Sequence, residues 1–293
     1  MFCKVMAGGI QGINSFLAQV EVDATQAMPG FDMVGLLGSE VREARERVRV
    51  ALKNSGFQLP PRRITVNISP ADIRKEGSAY DLPIAIGILV SLEKLEEEVL
   101  KDTLFIGELG LDGEIKPVKG ILPIMLMAKE QGIRRCILPK ENALEGAVVE
   151  GVKIVGVSDF METLGYLMKT EENANQMIAP TCLDMKAFFE EDAEKESLDF
   201  ADIRGQEMVK RAAVIAAAGF HHLLITGVPG AGKTMIAKRI PSILPPLSLE
   251  ESLEVSKIYS VSGLLREGCP LITRRPFLHP HHTISRQALA GGG

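Results

Sequence analysis

Cysteine is scarce in this 293-residue chain, and the four present, Cys3, Cys136, Cys182 and Cys269, lie far apart with no C-x-x-C pair among them. Neither a zinc ribbon nor a disulfide framework is indicated, and the usage fits a reducing, cytoplasmic compartment. Long apolar runs are missing as well. No stretch approaches the ~18 residues of a membrane span, and no basic region followed by a hydrophobic segment opens the chain as a signal peptide would. Nor is there an excess of positive charge. Lys plus Arg number 33 against 38 Asp plus Glu, a net charge of −5, so no global basic field marks a nucleic-acid partner and only a local patch is left to serve one.

What is present is enough apolar material, 46% of the chain, for roughly two packed domains. Over residues 1–168, β-type runs at 16–22, 64–68, 104–106, 135–138 and 152–155 alternate with helical ones, as in an α/β or α+β domain. Residues 169–196 turn polar and acidic, with Glu171, Glu172, Glu190, Glu191, Asp192, Glu194 and Glu196. They read as a linker with one short helical piece at 185–189. The remainder, 197–293, reads as a second domain. An alanine-rich helix is expected at 207–218, and Ser248 with Glu251 resembles a capping box that opens a helix running to about Ser260.

The most specific chemistry lies in that second domain. Gly227, Val228, Pro229, Gly230, Ala231, Gly232, Lys233 and Thr234 fit the phosphate-cradling pattern G-x-x-x-x-G-K-[ST]. A polyphosphate needs several backbone N–H groups aimed at one point, and glycine lets the chain fold closely around it. Lys233 then supplies a compact charge for the outer phosphates, and the Thr234 hydroxyl offers an oxygen to a nucleotide-bound Mg²⁺. The apolar run 223–226 reads as a buried strand and 234–240 as the start of a helix, the setting that the motif requires. Such ATPases also need an acidic residue at the end of another strand to hold the metal and polarise water. No apolar strand ending in Asp-Glu follows Thr234, so the chain is expected to carry the binding loop without the hydrolytic half, and by itself to bind ATP weakly and hydrolyse it negligibly.

A basic stripe is the second feature. On a helix expected over 39–54, capped by Ser39 and stopped at Gly56, Val41, Ala44, Val48, Ala51 and Leu52 form the apolar face. Arg42, Arg45, Arg49 and Lys53 recur at spacings of three and four residues on one side, suited to following a phosphate backbone. Arg62, Arg63, Arg74 and Lys75 sit in neighbouring loops. The competing reading is a solvated surface in which Glu43 and Glu46 pair with Arg47 and Arg49. His221, His222, His279, His281 and His282 match no closed zinc pattern and read as loop residues.

From Gly205-Gln206 through the phosphate loop, and again at Arg275-Pro-Phe277, Pro280-His-His-Thr283 and the closing Gly291 to Gly293, the chain resembles the ComM/YifB family of magnesium-chelatase-like AAA+ ATPases. Val34-Gly-Leu36, the segments Glu43 to Val48 and Arg63 to Asn67, Pro70-Ala-Asp72 and Arg74 to Ser78 resemble that family's N-terminal segment. This N-terminal segment is in turn similar to the proteolytic domain of Lon, related to domain 2 of ribosomal protein S5. The implied fold is α/β: an S5 domain 2-like, Lon-like α+β domain, followed by an incomplete P-loop AAA+ α/β domain stopping before its acidic strand.

The resemblance further implies ATP and Mg²⁺ as cofactors, a hexameric ring in the full-length form, DNA as partner, no membrane, and an ATP-driven helicase or branch-migration role in recombination and natural transformation. Ile203 and Gln206 would line the adenine pocket. Laid on the Lon pattern, the catalytic lysine position falls on Leu122 and the nucleophile near Ala79. Ser78 is adjacent without a partner amine, and Lys119 lies three residues away, so proteolysis is not expected. The rival readings are a magnesium-chelatase motor subunit and a non-enzymatic DNA- or partner-binding module built from residues 1–168.

Overall fold

The computed structural model describes residues 1–194, 198–266, 268–281, 283–285 and 287. Glu196, His282 and Gly291 to Gly293 among the sequence expectations lie outside the described residues, as do the side chains of Glu171, Glu190, Glu191, Asp192 and Glu194. The chain divides into two compact units, Met1–Met185 with Glu254–Leu271, and Lys186–Leu253 with Ile272–Gly293.

The first unit opens with an antiparallel hairpin of β1 (Phe2–Gln11) and β2 (Asn14–Thr25). Gly12 takes φ +63° in its tight turn, a conformation that glycine adopts without steric cost. There follow β3 (Gly30–Val34), α1 (Ser39–Asn54), β4 (Arg63–Ser69), α2 (Asp81–Ser91) and β5 (Thr103–Phe105), then the small ribbon of β6 (Glu108–Leu109) and β7 (Ile115–Lys116). The unit continues through α3 (Ile121–Glu130), β8 (Arg135–Pro139), α4 (Ala143–Ala147), β9 (Lys153–Val157), α5 (Phe160–Leu167) and α6 (Glu171–Met177). Seven strands form one mixed sheet in the order β3-β4-β2-β1-β5-β8-β9, in which the β3/β4, β1/β5, β5/β8 and β8/β9 pairs are parallel. The hairpin thus joins an otherwise largely parallel sheet.

All eleven residues of α2 are buried, as expected of a helix that is apolar on every side. Strand β1 was not legible, because Gly8 and Gly9 interrupt it. The structure needs both small residues there: a Cβ at Gly8 would strike Ile124, and one at Gly9 would meet the Phe16 ring and the Tyr80 hydroxyl. Helix α1 buries Val41, Ala44, Val48, Ala51 and Leu52, the expected stripe. Its N-cap, however, is Gly38 rather than Ser39. The chain entering α1 is fixed instead by backbone pairing, Lys75 N–H to Leu36 O at 2.9 Å and Gly38 N–H to Lys75 O at 2.8 Å.

Two further expectations are corrected. The acidic stretch read as a linker is partly folded: Ala174 on α6 and Ile178 are buried in the first unit's core, and Thr181 bridges Ile154. Apolar residues at one-turn spacing within a polar segment are enough to dock a short helix. In the second unit, residues 223–226 are not a strand, and Leu224 is 87% exposed. A buried strand needs neighbours to take up its N–H and C=O groups, and among the described residues this unit holds none. Its helices are α7 (Met185–Glu194), α8 (Glu207–Ala218), α9 (Lys233–Arg239) and the start of α10 (Leu249–Ser262). The expected capping box opens α10, with Ser248 N–H donating to Glu251 at 3.0 Å and Glu251 N–H to Ser248 Oγ at 3.2 Å. Phe200, Ile203, Ala213 and Ile236 form this unit's small core.

Candidate functional site

The phosphate-loop residues form a tight turn leading into α9. Gly230 and Gly232 lie at φ +83° and +82°, in the left-handed region that a side chain would strain, and Gly232 caps the helix. The ammonium of Lys233 donates to the carbonyls of Gly227 at 2.9 Å and Val228 at 2.8 Å, closing the turn on itself. Val228, Pro229 and Thr234 are exposed. Gln206, itself at φ +56°, donates its side-chain amide to Ala231 O at 3.2 Å and so touches the loop directly. Ile203 is only 1% exposed, packed with Ile236 of α9. It supports the loop's helix from beneath, whereas Gln206 sits at its side.

In the first unit, Arg42, Arg45, Arg49 and Lys53 all lie on the exposed side of α1. Glu46 bridges Arg45 at 3.3 Å and Arg49 at 2.7 Å, while Glu43 reaches Arg47 at 3.8 Å. The pairs of the solvated-surface reading therefore form, and Glu46 is shared between two arginines. Arg47 has a separate role that the sequence did not reveal. It turns inward and holds the wholly buried Asp81 carboxylate through two hydrogen bonds of 2.7 and 3.0 Å. Burial raises the Asp81 pKa above the usual aspartate range, and the guanidinium opposes that rise.

The Lon-like positions carry no serine–lysine pair. Leu122 is fully buried, and Ser78 donates its hydroxyl to the Glu108 carboxylate. Lys119 packs its side chain against Gly263. A carboxylate overlooked in the sequence lies close by, on α4. Glu145 accepts from the Leu122 N–H at 2.9 Å and from the Ser260 hydroxyl, beside a cavity of about 470 Å³ also lined by Lys119, Glu141 and Arg266. Burial raises its pKa above the usual glutamate range, opposed by hydrogen bonds from Ser260, Leu122 and Asn142. Between the ordinary and the raised value, the folded protein keeps a proton that the unfolded chain has released. Stability from this group is thus greatest below that window and falls as pH rises through it. Glu145→Gln should remove the dependence while leaving the neighbouring charges common to both chains. In urea unfolding between about pH 4 and 7, the stability of the parent minus that of the variant should decline with pH; a flat difference would refute the assignment.

Two family models match separate parts of the chain. A family model described as "Subunit ChlI of Mg-chelatase" matches residues 20–142, and one described as "Magnesium chelatase, subunit ChlI" matches 199–293. Competence protein ComM of Haemophilus influenzae is 38% identical over 286 residues, covering 96% of this chain and 54% of that protein. YifB of Escherichia coli, an uncharacterised protein, is 39% identical over 285 residues, covering 96% and 53%. Lon protease 2 of Bacillus subtilis is 26% identical over 179 residues, 54% of this chain and 32% of that one. The chain spans about half the length of the ComM and YifB relatives that it matches. No helix among the described residues is long and apolar enough to cross a membrane.

Proposed function

We propose, because the chain belongs to the ComM/YifB family of magnesium-chelatase-like AAA+ proteins, that it binds MgATP at residues 227–234 and contributes that site to a DNA-translocating motor. The observation that carries this reading is the loop itself. Two glycines in the left-handed region and a lysine at the first position of α9 form a short turn at the motif's position, and this supports the reading. Lys233 exchanges its two carbonyl partners for outer-phosphate oxygens when nucleotide arrives, and Thr234, exposed at the next position, holds the Mg²⁺ that the phosphates bring. Gln206 borders the adenine side, while Ile203, buried against Ile236, supports the loop's helix and does not line the pocket.

In the full-length protein we read this site as part of a hexameric ring that couples ATP hydrolysis to branch migration or unwinding of DNA, in the cytoplasm. The basic face of α1 supplies a surface of the right charge for that substrate. The magnesium-chelatase reading is favoured by the family descriptions, which cover both the first unit and the phosphate-loop region, whereas the match to Competence protein ComM over 96% of this chain favours the DNA reading. The two separate cleanly in one assay. The full-length protein should displace a strand from forked DNA only with ATP and Mg²⁺ present. No displacement, together with ATP-dependent Mg²⁺ insertion into a porphyrin in the presence of partner subunits, would sink the motor reading.

A further inference from the structure

The stripe on α1 is one wall of something larger. Arg45 and Arg49 line a groove of about 510 Å³ together with Arg62, Phe31, Pro60 and Pro61. The groove runs beside β3, which lies at the end of the sheet order and pairs only with β4. Three arginines face it, against one carboxylate, Glu46, which is shared by two of them. Arg42 and Lys53 extend the same helix face on either side. Among the described residues no carboxylate pairs with Arg42, Lys53 or Arg62. An acidic chain has thus gathered a positive surface that is only partly compensated in one place, and that is the electrostatic footprint of a polyanion.

The shape narrows the polyanion further. Arg42, Arg45, Arg49 and Lys53 recur about once per helical turn, roughly 5–6 Å apart. A row with that repeat can follow the successive phosphates of one nucleic-acid strand. Helix α1 buries its apolar stripe and leaves its basic face open to a ligand. Phe31, half-buried against the core, presents the rest of its ring to the groove beside two prolines. A flat apolar surface flanked by arginines is how proteins hold unpaired bases without reading sequence.

We propose that this groove binds single-stranded nucleic acid, with phosphates along Arg42, Arg45, Arg49 and Lys53, and a base stacked on Phe31 near Arg62. The inference rests on the DNA reading above for its biological sense, but it does not involve the nucleotide loop. It is tested without ATP, by fluorescence anisotropy of a labelled oligo-dT of about 15 nucleotides with the full chain, beside a matched duplex and an oligo-glutamate peptide.

The triple substitution Arg45→Ala, Arg49→Ala, Arg62→Ala should weaken oligo-dT binding at least ~10-fold and flatten its log–log salt slope by about 1.4, two phosphate contacts at roughly 0.7 each. Phe31→Ala should weaken it roughly five-fold or more and leave duplex binding unchanged. Because Phe31 touches the core, the single substitution Arg62→Glu, at a half-buried position outside that core, serves as the second variant, and thermal melting checks that each chain folds. Parent-like oligo-dT affinity in the folded triple and Arg62→Glu variants would overturn the proposal. So would displacement of the oligonucleotide by the glutamate peptide at equal concentration, which would make the groove a site for an acidic protein segment. Normal strand displacement with these variants binding oligo-dT as the parent does would sink the groove alone. Groove binding without ATP-driven displacement by the full-length protein would sink the motor reading alone.

Discussion

Arg47→Ala should lower the unfolding free energy by about 3–5 kcal/mol, the cost typical of stranding one partner of a buried ion pair. Asp81 is inaccessible to water at the start of α2, and its carboxylate keeps only the Leu109 N–H at 3.2 Å when the guanidinium is removed. Every residue of α2 is buried, so there is no solvated conformer into which Asp81 can swing. The variant's remaining recourse is to bind a proton. Its Asp81 pKa should rise further than burial already raises it, and the destabilisation should shrink as pH falls, because the folded state then holds the proton more tightly than the unfolded chain does. Replacing both partners, Arg47→Met with Asp81→Leu, should recover much of the loss, since the pair's own net contribution is small compared with the cost of breaking it. Urea unfolding followed by circular dichroism measures all three chains. A loss below about 1 kcal/mol in Arg47→Ala at neutral pH, the range of a surface pair, would contradict the buried role.

Lys233→Ala should weaken MgATP binding by the full-length protein about 10- to 100-fold, the loss of hydrogen bonds from a charged group. The ammonium that would meet the outer phosphates is gone; the bonds to the Gly227 and Val228 carbonyls belong to the free turn, and their loss offsets only a small part of the effect. Lys233→Arg should not restore affinity, because a planar, longer guanidinium cannot substitute for a compact charge in a turn this tight. The site is exposed, so melting should move little. Equal nucleotide affinity in parent and variant, by calorimetric titration, would remove Lys233 from the site.

How much of this was legible depended on whether local sequence or distant partners set each feature. The α1 stripe, the α10 capping box and the strands at 64–68 and 135–138 follow from spacing and propensity, which act within a few residues. Strand β1 was hidden because Gly8 and Gly9 answer to Ile124 and Phe16, far away or across the hairpin. Ser39 looked like a cap, yet pairing with Lys75 from another loop moved the boundary to Gly38. The run 223–226 has the composition of a buried strand, but composition does not supply ladder partners. At the candidate sites, the phosphate loop and the basic stripe were visible as patterns. That Arg47 turns inward from the α1 surface to Asp81, that Glu145 is buried beside Ser260, and that Phe31 and Arg62 complete a groove with α1 all depend on residues distant in sequence.

Backbone hydrogen exchange at Val228 and residues 230–234, with and without MgATP, tests the nucleotide site most directly. These N–H groups lie in an exposed turn and a short helix, so they should exchange quickly in the free protein. On addition of MgATP to the full-length protein, exchange should slow across these residues and at Gln206, and much less so in Lys233→Ala. Unchanged exchange at these residues under saturating MgATP, or protection confined to some other segment, would contradict a nucleotide site at this loop.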